Sequence, residues 1–196
     1  MFFYVFAVCV IVIFGGLGYV YLRRNILNPG GKGAENITAG TLKRFGVIRR
    51  FKVLSNVEIA HGGKSAVIEN MLIGYFGILI VTTCGRRGEY YGTPDGENWI
   101  VTYKQQRFTI PNPILQQQRS ISILRAKFAQ NKLYNIPVEN LVVFTDKGKD
   151  TAVFVSGTDK ILLSGKLRGY LSKSKFEQDI GLDVEQVANV LTGAAK

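Results

Sequence analysis

The sequence predicts an α/β (α+β) fold: one mixed central sheet flanked by helices and preceded by one transmembrane helix. Three observations carry this expectation. Residues 1–22 contain no charged side chain. Beyond them, apolar residues recur in the order helix, three strands, helix, strand, helix, the arrangement of a sheet covered by helices. The 196 residues suit one domain at roughly 150 residues each.

The first segment, Met1 to Leu22, reads MFFYVFAVCVIVIFGGLGYVYL. As a helix rising about 1.5 Å per residue it is some 33 Å long, enough to cross a hydrocarbon core of about 30 Å. Tyr4 near one end and Tyr19 and Tyr21 near the other suit the two interfacial belts. A cleaved signal peptide needs a basic n-region and a small-residue cleavage site, whereas here the apolar run ends directly in Arg23-Arg24. No Lys or Arg precedes the run, and Arg23, Arg24 and Lys32 follow it. The positive-inside rule therefore predicts a single-pass protein of the cell membrane with residues 23–196 in the cytoplasm. A reducing compartment also suits Cys84, the one cysteine beyond the span. Residues 23–34, which include NPGGKG, read as a basic Gly/Pro linker, and residues 35–196 as the folded domain.

Within that domain, Asn36 to Ile48 reads as a short, irregular helix with Leu42, Phe45 and Ile48 on one face. Phe51 to Thr83 breaks into three strand-like units: residues 51–59, residues 66–73 after the turn His61-Gly62-Gly63-Lys64, and residues 77–81. The last of these is apolar almost throughout, as expected of a strand covered on both faces, with Val81 and its neighbours central. Gly85 to Gly96 is rich in turn formers, and Trp99 to Tyr103 reads as a short, more exposed strand. Asn112-Pro113 opens a helix, as a good N-cap followed by a proline suited to the first helical position. Leu115, Ile121, Leu124 and Phe128 mark its apolar face. Val138 to Phe144 is a buried-type strand, two short strands fall between Thr151 and Leu163, and Asp183 caps a final helix.

Composition bounds the chemistry. The chain has 25 Lys+Arg against 14 Asp+Glu, a net charge of +11, and a mean hydropathy of +0.11. Two cysteines and one histidine exclude a disulfide framework, a Cys/His zinc site and a two-histidine metal site. No GxGxxG opens a helix after a strand and no Walker lysine motif occurs. His61, the only possible imidazole base, sits in a glycine turn, which reads as an exposed turn residue. Between Glu35 and Glu58 no acid interrupts Lys43, Arg44, Arg49, Arg50 and Lys52. These charges fit a solvated helix face, an anionic membrane leaflet or nucleic-acid phosphates.

The segment from Gly33 to Leu124 carries a series of motifs in order. They are Gly33-Ala34-Glu35, Ile68-Glu69, the strand Gly77 to Cys84, Gly88 through Gly92 to Trp99, and Asn112-Pro113-Ile114-Leu115-Gln116. In this order and spacing the chain resembles the nuclease-related domain (NERD) family, a relative of PD-(D/E)xK nucleases. Ile136-Pro137-Val138 and Leu182-Asp183 extend the likeness through most of residues 33–192. The resemblance implies a restriction-endonuclease-like sheet and a site in which carboxylates hold Mg²⁺ beside a lysine that assists the attacking water.

By that resemblance, Glu35 matches the first glutamate and Glu69 stands where an aspartate is expected. Thr82 replaces the second carboxylate and Cys84 replaces the lysine, so the Glu-x-Lys pair is missing. Thr82 and Cys84 alternate onto one face of a strand. Asn112 and Gln116 take supporting positions, and Glu35 and Glu69 are the only metal ligands the motif leaves. Arg86 and Arg87 are candidates for a relocated cation or for binding, with a loop charge as the plain alternative. Three readings follow. One is a membrane-anchored domain without nuclease chemistry, needing no cofactor, that binds nucleic acid or anionic lipid through Lys43, Arg44, Arg49, Arg50, Arg86 and Arg87. Another is a Mg²⁺-dependent nuclease with a rearranged site, and the third is a structural membrane-associated protein.

Overall fold

The structure, a computed structural model, describes residues 32–145 and 151–193. The apolar run 1–22 and the linker as far as residue 31 lie outside the described residues. Among the described residues no helix is long and apolar enough to cross a membrane.

The chain folds as helices α1 (Lys32–Arg49), α2 (Pro113–Gln130), α3 (Ser164–Leu171) and α4 (Val184–Thr192), with a 3₁₀ turn at Ser174–Glu177. The strands are β1 (Lys52–His61), β2 (Lys64–Gly74), β3 (Gly77–Cys84), β4 (Gly88–Tyr91), β5 (Asn98–Tyr103), β6 (Gln106–Pro111), β7 (Val138–Phe144), β8 (Thr151–Phe154) and β9 (Ile161–Leu163). The fold is mixed α/β, but with two mixed sheets rather than one. A five-stranded sheet runs β1-β2-β3-β7-β9 and a four-stranded sheet runs β6-β5-β4-β8. The chain visits the second sheet after β3, returns for β7, crosses again for β8 and comes back for β9. Alternating visits of this kind blur the sequence order that suggested a single sheet.

Gly77 to Val81 on β3 is buried throughout, in the centre of the larger sheet, as the continuous apolar run predicts. One face of that sheet meets α2 and α4 in a cluster that includes Ile59, Met71, Ile80, Leu124, Val187 and Leu191. The other face meets α1 and α3 through Leu42, Leu72, Val81, Leu141, Leu167 and Phe176. Burying apolar area on both faces is what holds a central strand of such composition in place.

Several boundaries differ from the sequence reading. The first helix begins at Lys32, so Lys32 to Ala34 belong to it rather than to the linker, and Glu35 lies in its first turn. Its glycines do not break it, and Ile48 is 76% exposed. The turn-rich stretch contains β4, and β6 follows β5 as a hairpin. β5 is not the exposed strand expected, because Trp99 and Val101 are fully buried with Tyr90, Ile114 and Phe144. Asn112 does cap α2, its side chain accepting the Ile114 N–H at 2.9 Å. Leu115, however, is only half-buried, and Gln117 takes a place on the buried face.

Candidate functional site

A fork in the larger sheet gathers the candidate residues. The antiparallel ladder between β2 and β3 ends at Asn70↔Val81. From there β2 runs back toward Lys64 beside β1, while β3 runs on to Cys84 beside β7. Glu69 stands at the branch. The register pairs Ser55 with Asn70 and Val57 with Ile68, which sets Asn56 opposite Glu69. Asn56 has φ 54°, a left-handed conformation. Ile68 and Met71 bury into the same cluster although they are three residues apart, so the strand changes face across Glu69 and Asn70.

This break frees the Glu69 carboxylate to reach across the fork. Its Oε2 accepts the Thr83 backbone N–H at 2.8 Å, and its Oε1 accepts from Asn70 Nδ2 at 3.0 Å. Asn70, itself buried, accepts from Ser55 Oγ at 2.9 Å. Burial raises the Glu69 pKa above the usual carboxylate value; the negative charge of Glu35 raises it further, and the Thr83 and Asn70 hydrogen bonds oppose the rise. Glu35, half-buried in the first turn of α1, is near enough for its charge to act on Glu69.

Thr82 and Cys84 point to the α2 side of β3. Gln117 Nε2 donates to Thr82 Oγ1 at 3.0 Å and to the Leu141 carbonyl at 2.9 Å. Gln117 Oε1 accepts from Asn140 Nδ2 at 3.0 Å. Gln117 and Asn140 are both buried, so this is a closed, neutral network linking α2, β3 and β7. The Cys84 thiol packs against the cluster around Trp99 and Phe144. Burial, followed by the Glu69 charge, pushes its pKa up to about 12, which keeps it protonated at neutral pH.

The remaining candidates are spread more widely. Gln116 is exposed, one residue out of phase with the inward face of α2, and Gln117 makes the contact instead. A buried glutamine with two buried partners is visible only in three dimensions. The sequence signal was the QQQ run itself, whose middle member falls four residues before Ile121. Asn112 is buried but away from the fork, its Nδ2 donating to the carbonyls of Thr93, Pro94 and Gly96. Lys43, Arg44 and Arg50 are exposed on and just after α1. Arg49 pairs with Glu177 at 2.8 Å and lies over the Phe45 ring. Arg86 lies over the Phe108 ring with 4.9 Å to the centroid, while its carbonyl accepts from the Tyr90 hydroxyl. Arg87 follows it, half-buried, at the start of β4.

The model of the nuclease-related domain family matches residues 30–145, which hold α1, the fork, the second sheet as far as β6, and β7. The chain belongs to the nuclease-related domain family. No curated protein matches it. The matched span includes Glu35, Glu69, β3 and α2, and at the end of β3 the Glu35 charge acts on Glu69 and the Glu69 charge on Cys84. Among the described residues, no group of three or more His, Cys, Asp and Glu side chains is arranged to hold a metal ion.

Proposed function

We propose that this chain is a nuclease-family domain that binds nucleic acid through its phosphates without cleaving it. The reading extends to its location: residues 1–22 hold it to the cell membrane and residues 23–196 lie in the cytoplasm.

The observation that carries the proposal is the chemistry at the end of β3. The restriction-endonuclease-like pattern implied by the family calls for carboxylates around Mg²⁺ and a lysine. Mg²⁺ takes hard oxygen ligands in near-octahedral geometry. Here the fork offers a carboxylate already bonded through both oxygens and biased toward protonation, plus Glu35. Thr82 is engaged by Gln117, and the Cys84 thiol stays neutral. This donor set does not fit Mg²⁺, and it supplies no ammonium for developing phosphate charge. Removing one donor of that kind typically costs ~10²–10³ in rate, and two are missing. Binding draws on a different resource, the net charge of +11, which favours phosphates whatever the state of the fork.

The test is a cleavage and binding assay on the full chain in neutral detergent with labelled DNA, in Mg²⁺ or Mn²⁺ and in chelator. Salt-sensitive binding without cleavage is expected. Chelator-sensitive cleavage abolished by Glu35→Ala would establish an active nuclease and end this reading. For the location, the chain should resist carbonate extraction and expose its carboxyl-terminal part only to the cytoplasmic side. Recovery of a mature species starting after residue 22 would refute the anchor.

A further inference from the structure

We propose that the cleft between the β1–β2 hairpin tip and α2 is a phosphate-binding site for a nucleic-acid backbone, with Lys64, Arg119 and His61 as its cationic or hydrogen-bonding groups. The inference rests on the nucleic-acid reading above and names where that binding occurs.

The glycine turn is what builds the cleft. Gly62 and Gly63 adopt φ 59° and 74°, both left-handed, which closes the hairpin in two residues. His61 and Lys64 are therefore paired directly across the hairpin. Directly opposed residues project to the same face. Ile59 and Ile68, even steps along the strands from them, bury against α2 and α4, so His61 and Lys64 project toward that side. Arg119 comes from α2 to meet them, beside Ser122, whose hydroxyl donates to the Gln118 carbonyl at 3.0 Å, and Ser65 lies at the rim. The resulting cleft has a volume of about 750 Å³ and an apolar floor at Ile123.

Its charge is one-sided. None of the described residues lining the cleft is acidic. Glu58, the nearest acid along β1, is exposed and alternates away from Val57 and Ile59, which are buried on the α2 side. Between Glu97 and Glu139 the chain has no Asp or Glu but carries Lys104, Arg107, Arg119, Arg125, Lys127 and Lys132. Among the described residues Lys64 and Arg119 make no ion pair. A converging Lys, Arg and His with no carboxylate is a donor set for phosphate oxygens.

The cleft also lies on the two elements that build the fork. Lys64 is five residues from Glu69 along β2, or ~17 Å at about 3.3 Å per residue. That span covers about five phosphates of one duplex strand at 3.4 Å each. Backbone held at Lys64 and Arg119 can thus run along α2 toward the end of β3.

The test measures anisotropy of a labelled DNA duplex of about 20 base pairs with the full chain in neutral detergent, over a salt series. Lys64→Ala/Arg119→Ala should weaken binding at least ~tenfold and flatten the slope of log K against log salt by ~2, at about 0.9 per lost phosphate contact. Lys166→Ala/Arg168→Ala, which removes the same charge from exposed positions on α3, should cost well under half as much on a logarithmic scale. Equal losses from the two pairs would mean diffuse attraction and overturn the cleft. Unchanged binding by the first pair would overturn the cleft while leaving the nucleic-acid reading intact. A parent chain that ignores DNA at low salt fails that wider reading as well. If it instead binds phosphatidylserine vesicles through Lys64 and Arg119, the occupant is a lipid surface and both proposals fall.

Discussion

The Glu69 carboxylate occupies the place that a neighbouring strand's carbonyl would take on β3, accepting the Thr83 backbone N–H at 2.8 Å where the β2–β3 ladder has already ended. A side chain thereby satisfies a backbone donor at the sheet's branch, while burial and Glu35 act against its charge.

The sign of the resulting pH dependence is set by that conflict. Glu69 has a folded-state pKa above its ordinary value of 4.5, so the folded chain binds more protons than the unfolded chain in the window just above 4.5. Its contribution favours folding below that window and is lost as pH rises through it. Glu69→Gln removes the ionisation. The stability of this variant relative to the parent should rise between acidic and neutral pH, read from urea midpoints at each pH. A constant difference would mean that Glu69 titrates normally.

Gln117 and Gln116 are neighbours with opposite expectations. Gln117→Ala strands Asn140 and the Leu141 carbonyl in a buried setting, which costs about 2–3 kcal/mol. Gln116→Ala alters an exposed amide and should stay within about 0.5 kcal/mol. Denaturant unfolding of the two variants checks both values, and equal costs would refute the network.

The Cys84 thiol should be inert. A pKa raised from 9.0 to about 12 lowers its thiolate fraction by about three orders of magnitude near neutral pH. In a Cys9→Ser background, alkylation by iodoacetamide should be about a thousandfold slower for native than for unfolded chain. Comparable native and unfolded rates would show an accessible thiolate.

Gly92 touches the chain's single tryptophan. A Cβ at this position would collide with Trp99 Cδ1 and Cγ, and Trp99 is fully buried with its Nε1 donating to the Thr93 carbonyl at 3.0 Å. Gly92→Ala should therefore cost about 1–3 kcal/mol and shift the tryptophan emission. An unchanged spectrum with unchanged stability would mean that the indole has room to move.

What the sequence made legible was the larger sheet and its capped helices. The run from Gly77 to Val81 and the Asn112-Pro113 start of α2 are strong local signals, and both lie where expected. β4 escaped because four residues among glycines and arginines carry little pattern, although Gly88 and Tyr90 alternate inward. α3 escaped because Gly165 and Gly169 lower its helix propensity, leaving only Leu167 and Leu171 to mark its face. In the fork, the residue types were readable and the bonds were not. Thr82 lies 35 positions from Gln117, and no spacing rule connects them.

The last third of the chain has a further consequence, for synthesis. The cluster that buries Ile59, Met71 and Ile80 is completed by Val187 and Leu191, and the opposite one by Leu167 and Phe176. Neither face of the central sheet is sealed until those helices arrive. A ribosome adding about 5–20 residues per second leaves β1 to β3 waiting on the order of 10 s for α4. During that interval an uncovered row of β-branched side chains is open to misassociation, so the nascent chain depends on being shielded rather than on folding as it emerges.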